Sequence, residues 1–221
     1  MTGSSRPDAG DTRRFGLYSA TVLDVVDPDE LGRIRVQLPD LAGDTEGGSR
    51  AWAILLSPYA ADGQGFLFLP EVGSRVVVGF EAGDPRRPFV VGGFWSGTGA
   101  IPESSATARD VRLIHTRGGS RIEFDDSPGA AKIAVSTGSG HRLVLDEGGS
   151  SIRIEHANGS LVVVDGAGIE LRAHGTVTVR AAAVQVRAPI ASFDGVVTCS
   201  TLVASAGVVS PSYTPGLGNL L

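Results

Sequence analysis

Between residues 122 and 193 the chain is a ladder of apolar doublets, and this ladder restricts the possible folds more than any other feature. The doublets are Ile122/Phe124, Ile133/Val135, Leu143/Leu145, Ile152/Ile154, Leu161/Val163, Ile169/Leu171, Val177/Val179 and Val184/Val186. Members of a doublet lie two residues apart, so in an extended strand both point to one face. Successive doublets start 11, 10, 9, 9, 8, 8 and 7 residues apart. Most gaps hold turn formers, such as Asp126-Ser127-Pro128-Gly129, Glu147-Gly148-Gly149, Asn158-Gly159 and Asp165-Gly166. A short strand and a turn, repeated with a shrinking period, predict a long, tapering β-structure built for shape before chemistry.

One narrow apolar face per strand has to be buried against something. A single-chain parallel β-helix needs coils of roughly 18 residues with inward positions on several sides, and the drift from 11 to 7 spoils their stacking. An antiparallel meander leaves the Ile/Val row open, a patch that solitary soluble proteins avoid. Three copies sharing an axis bury the row and abolish free sheet edges. The expectation is a homotrimer with Ile152, Ile154, Leu161, Val163, Ile169, Leu171, Val177, Val179, Val184 and Val186 in its core; a meander packed on another surface is the alternative.

The rest of the sequence agrees with an all-β protein. Its 221 residues include 31 Gly but only three Tyr and one Met, a turn-dense composition. A net charge of -5, with arginines scattered among carboxylates, argues against nucleic acid, which calls for a basic stripe. A single cysteine, Cys199, excludes an intrachain disulfide framework and a Cys-rich zinc site. No apolar run approaches the roughly 18 residues of a membrane-spanning helix. Residues 1–14 read as a flexible arm. Strands expected at 18–26, 32–38, 51–56, 65–69, 75–80 and 89–94 suit a small closed barrel over 15–97. Residues 98–110 read as a linker, 111–194 as a needle and 195–221 as an apex segment.

The stretch Gly65-Phe66-Leu67-Phe68-Leu69-Pro70-Glu71-Val72-Gly73-Ser74-Arg75-Val76-Val77-Val78-Gly79-Phe80-Glu81 continues through Gly83-Asp84-Pro85-Arg86-Arg87-Pro88-Phe89-Val90-Val91-Gly92. It resembles the oligonucleotide/oligosaccharide-binding (OB) barrel of the central spikes of contractile injection machines. These are the baseplate assembly protein V family of phage tails, the VgrG proteins of type VI secretion, and their extracellular relatives. Gly32-Arg33-Ile34-Arg35-Val36 is similar to that family's second strand, and Phe94-Trp95-Ser96-Gly97 to its barrel exit. The resemblance implies a homotrimer whose OB barrels form a collar above a β-helix or β-prism needle. It also implies assembly in the bacterial cytoplasm, followed by incorporation into a particle with an inner tube, baseplate proteins and a PAAR-type tip protein or effector. The needle would meet the target cell envelope transiently. Only 14 residues precede Phe15, so the hub region of VgrG proteins is expected as a separate chain. Residues 96–110 are too short to hold the lysozyme that some phage spikes insert.

Little else suggests chemistry. His115, His141, His156 and His174 include no His-x-His of the kind that holds an axial iron in some short spikes, so neither metal nor other cofactor is expected. Each histidine reads as an exposed turn residue. Glu123/Asp125/Asp126 and Asp146/Glu147 are spaced like paired glycosidase carboxylates, but they adjoin Gly or Pro turns where carboxylates cap the chain. Gly73 and Gly83 are expected to permit tight turns, Asp84 to bond the turn backbone, and Arg86 and Arg87 to pair with a neighbouring subunit. Cys199 reads as a small buried hydrophobe. After Asp194 no charged side chain follows, and Val208, Val209, Tyr213, Leu217 and Leu220 are candidates for a tip contact. Two rivals stand beside the non-enzymatic spike. A polysaccharide-degrading β-helix would need an exposed groove with carboxylates and basic residues on successive rungs, and the outward positions Glu123, Ala134, Val144, Arg153, Val162, Glu170, Thr178 and Gln185 show no such row. A glycan- or nucleic-acid-binding OB module would need stacking aromatics, whereas Trp52, Tyr59 and Trp95 are dispersed.

Overall fold

The computed structural model describes residues 13–39, 48–97, 101–104 and 106–210. The chain divides into two compact units, Met1–Arg172 and Ala173–Leu221. Every regular element in the described residues is a strand, apart from one short 3-10 turn at Glu81–Gly83.

The first unit opens with a closed five-stranded barrel. Its strands are β1 (Tyr18–Asp24), β2 (Arg33–Gln37), β3 (Arg50–Leu55), β6 (Arg75–Phe80) and β7 (Pro88–Gly93), joined in the order β1-β2-β3-β7-β6 and back to β1. Alternation explains the barrel wall. Ile34 and Val36 are fully buried while Arg33, Arg35 and Gln37 face outward, and Val76 and Val78 repeat the pattern on β6. With Val22, Ala53 and Val90 they fill a core of small branched side chains. The loop before β2 is pinned by Asp27, whose carboxylate accepts from the amides of Asp29, Leu31 and Arg33 and from the Arg33 guanidinium. Chiefly through Arg33, these bonds hold its pKa far below the usual carboxylate range.

The strand expected over 65–69 is absent. A two-residue hairpin, β4 (Ala60–Ala61) and β5 (Gln64–Gly65), takes its place, and 66–70 runs on without a ladder partner. The Phe66 amide donates instead to the Tyr59 carbonyl at 3.0 Å, closing the hairpin. Gly73 and Gly83 have φ of 86° and 80°, the left-handed turns their positions require. Asp84 accepts from the Arg86 amide as expected, and within the chain Arg86 pairs with Asp84 and Arg87 with Glu81.

The ladder from 111 onward forms one seven-stranded antiparallel meander: β8 (Val111–His115), β9 (Arg121–Asp125), β10 (Lys132–Ser136), β11 (Arg142–Asp146), β12 (Ser151–Glu155), β13 (Leu161–Asp165) and β14 (Gly168–Arg172). All seven strands have five residues. The shrinking period therefore comes from the turns, and from one side of the sheet only. On the first rim the turns are 116–120, 137–141 and 156–160, each of five residues; on the second rim they are 126–131, 147–150 and 166–167, falling from six residues to four to two. The first-rim turns repeat one design. The amide at their first position donates to the carbonyl of their last, and a glycine at the fourth (Gly119, Gly140 or Gly159, φ of 80–95°) donates back to the first. That fourth position needs a left-handed backbone, which fixes both the glycine and the turn length.

The segment between barrel and meander is tied to the sheet by Glu103. Its carboxylate accepts from the Thr107 hydroxyl and from Arg121 on β9, both at 2.6 Å, and from the Ser104 amide. These bonds lower its pKa to about 2.

The second unit is different. Residues 173–210 contain no strand or helix, and bends recur at 174–175, 182, 189, 194–195, 200 and 205–206. Every described residue there is exposed, including Cys199, which was expected to be buried.

Candidate functional site: an uncovered apolar face

The register of the meander assigns each side chain to a face, because directly opposed residues of antiparallel strands share one. Ile122 opposes Val135 and Ile114; Val135 opposes Leu143; Leu143 opposes Ile154; Ile154 opposes Val162; Val162 opposes Leu171. The partner row runs Phe124, Ile133, Leu145, Ile152, Val164 and Ile169. Positions two and four of every five-residue strand thus face one way, and Arg112 is the sole non-apolar member of the row.

Leu161 and Val163 are not in this row. The five-residue turn 156–160 places them on the opposite face, Val163 opposite Arg153 and Glu170, while Val162 and Val164 complete the apolar row. The run Leu161-Val162-Val163-Val164 is apolar throughout, so alternation alone could not choose its phase. Of the other expected core positions in this unit, Ile152, Ile154, Ile169 and Leu171 all lie on the apolar face, with 46%, 54%, 78% and 59% of their surface exposed. Val177, Val179, Val184 and Val186 belong to the second unit and are exposed too, as are Val208 and Val209. Tyr213, Leu217 and Leu220 lie outside the described residues.

The opposite face is already finished within one chain. Ala134, Val144 and Val163 form a buried central line, and charged side chains fold over it. Arg121 reaches Glu123, Lys132 bridges Glu123 and Asp125, and Arg153 pairs with Glu155. The carboxylates once comparable to a glycosidase pair are occupied this way. Asp125 has its pKa lowered to about 2, first by Ser127 and then by Lys132, and Asp146 accepts the Gly149 amide. One face is thus polar and self-satisfied; the other is a continuous apolar strip that the described residues of this unit leave uncovered.

Two turns of the first rim bring a pair of histidines together that spacing could not reveal. His141 and His156 stand 15 residues apart in sequence, yet their ring centroids are 4.4 Å apart. His141 Nδ1 accepts the Ala157 amide and His156 Nδ1 the Asn158 amide. Among the described residues no group of three or more His, Cys, Asp or Glu side chains converges as a metal site. No helix of the described residues is long and apolar enough to cross a membrane.

Comparison with known proteins bears on the barrel first. Residues 18–95, the span of the five barrel strands, match the family model described as the type VI secretion system/phage-baseplate injector OB domain. Over about half its length the chain is also similar to VgrG spike proteins. It is 26% identical over 113 residues to the type VI secretion system spike protein VgrG3 of Vibrio cholerae, covering 48% of this chain and 11% of that protein. It is 30% identical over 114 residues to the spike protein VgrG4b of Pseudomonas aeruginosa, covering 48% of this chain and 14% of that one. A third relative, the actin cross-linking toxin VgrG1 of Vibrio cholerae, is 26% identical over 111 residues, 48% of this chain and 10% of its own length. The VgrG-like chain therefore corresponds to a small part of these larger proteins.

Proposed function

We propose that this VgrG-like chain is a structural, non-enzymatic spike of a contractile injection apparatus and works as a homotrimer whose C-terminal part forms the puncturing needle. The observation that carries the reading is the apolar strip of β8–β14, which the described residues of its unit leave open; turning three such strips toward a common axis would bury them. Covering it removes a large apolar area from water, the main source of favourable association energy. Residues 176–209 supply a second support, since among the described residues they make no backbone hydrogen bonds of their own. Backbone amides and carbonyls in a load-bearing rod need partners, and two further copies of the same segment provide them. The mechanism then follows from shape. Sheath contraction drives the tube forward, and the needle concentrates the force on a small area of target envelope. A trimer whose strands separate only together resists unfolding under that load.

In this reading the barrels form a collar beneath the hub, next to the inner tube and baseplate. The uncharged tail, with Val208, Val209, Tyr213, Leu217 and Leu220, carries a PAAR-type tip protein or effector. Deleting 207–221 is expected to abolish co-purification of a co-expressed tip protein while leaving the trimer assembled; undiminished co-purification would refute the tip assignment.

A further inference from the structure

The two rims of the meander carry opposite chemistry. The first rim, made of the five-residue turns and the strand ends beside them, holds Arg117, Arg121, Arg142 and Arg172 against Glu155 alone. The second rim holds Asp125, Asp126, Asp146, Glu147 and Asp165 against Lys132 alone. Part of this charge is neutralised within the chain, since Arg117 pairs with Glu71, Arg121 with Glu103, Arg172 with Glu170 and Asp126 with Arg112.

What remains is one-sided. Arg142 on the first rim and Glu147 on the second form no ion pair among the described residues. Asp146 and Asp165 accept amides of their own turns and form no ion pair among the described residues. The histidine pair adds to the contrast. With Nδ1 accepting a backbone amide, the neutral ring of each carries its proton on Nε2. His141 and His156 can therefore offer only donors to anything beyond the chain. Both rims also open onto the apolar face. Beside the histidines a recess is floored by Val135, Leu143 and Ile154; at the opposite rim a second is floored by Leu145, Ile152 and Val164, with Asp146, Glu147 and Asp165 around it.

We propose that the first rim of each copy docks against the second rim of the next copy around the three-fold axis, a donor row meeting an acceptor row at every corner. The proposal rests on the trimer with its apolar strips turned inward. Three sheets closed in that way bring unlike rims together, because a three-fold ring interface is heterologous: each subunit presents two different surfaces. The opposed signs favour this head-to-tail closure and penalise a rim meeting its own kind. The partner of the His141/His156/Arg142 group is thus the Asp146/Glu147/Asp165 group of a second copy of this chain.

A charge-reversal cycle on the full chain tests it, using Arg142→Glu, Glu147→Arg and the two combined. Arg142 and Glu147 are chosen because neither holds its own turn together. Sedimentation over a range of concentrations reads trimer dissociation, and circular dichroism confirms folding. Each single reversal repeats at three corners and is expected to raise the half-dissociation concentration about tenfold or more. The double reversal is expected to recover most of that loss. If a reversed chain folds poorly, Arg142→Gln, Glu147→Gln and their double variant run the same cycle, with the double expected to lose less than the summed singles. Strictly additive losses in a protein that is trimeric as wild type would overturn the rim pairing and leave the trimer standing. A wild-type chain that is monomeric throughout would overturn both.

Discussion

Replacing Ile154 by Ala asks which face of the meander is turned toward other copies. Ile154 opposes Leu143 and Val162 in the apolar row and is 54% exposed in the single chain. The change deletes three carbon groups, each worth about 0.8 kcal/mol when fully buried. Roughly half of that burial is left for partner copies to supply, so the association term is about 1.3 kcal/mol per copy and about 4 kcal/mol per trimer. At about 1.4 kcal/mol per tenfold, the trimer dissociation constant should rise by roughly three orders of magnitude. Val163→Ala is the matched comparison. Val163 is only 9% exposed and lies on the opposite face, so its truncation should lower unfolding stability while leaving dissociation nearly unchanged. Sedimentation equilibrium for assembly and thermal melts for folding separate the two effects. If Ile154→Ala assembled like wild type while Val163→Ala came apart, the inward face would be the charged one and the account would be wrong.

Two further outcomes follow from local geometry. A methyl group added at Gly138 would collide with the Gly118 carbonyl oxygen, because turns of the first rim touch two strands apart; Gly138→Ala should lower the sheet's melting temperature, and an unchanged melt would show that the turns separate freely. Glu103 is held below its unfolded pKa by Thr107, Arg121 and the Ser104 amide, so its stabilising contribution is complete above about pH 4.5 and is lost as pH falls toward about 2; Glu103→Gln should flatten that acid-side decline in urea titrations, and an identical pH profile would refute the assignment.

Much of this fold was legible in the residues. Strict alternation in Arg33–Gln37 marked a barrel strand with one wet face, and the burial pattern follows it residue by residue; in Arg75–Phe80 the apolar run hides the phase, and Val78, Gly79 and Phe80 are all buried. The doublets located every strand from β9 to β14. Alternation failed where it carries no phase, at Leu161-Val162-Val163-Val164, and there the turn length decided the face instead. The apolar run at 65–69 misled in another way, since its side chains are exposed and a hairpin closed by the Phe66 amide on the Tyr59 carbonyl precedes it. The shrinking period was visible, but its cause was not. Strand length is constant, and glycine at the fourth place of each first-rim turn keeps that rim constant too, so only second-rim turns shorten. The contact between His141 and His156 depends on pairing across two intervening strands, which no local spacing encodes.

The central claim is that the apolar strip is one third of a core. Light scattering on the full chain after gel filtration tests it most directly. The account predicts a mass three times the chain's 22.7 kDa, held on dilution. A particle of single-chain mass, folded and stable, would contradict it.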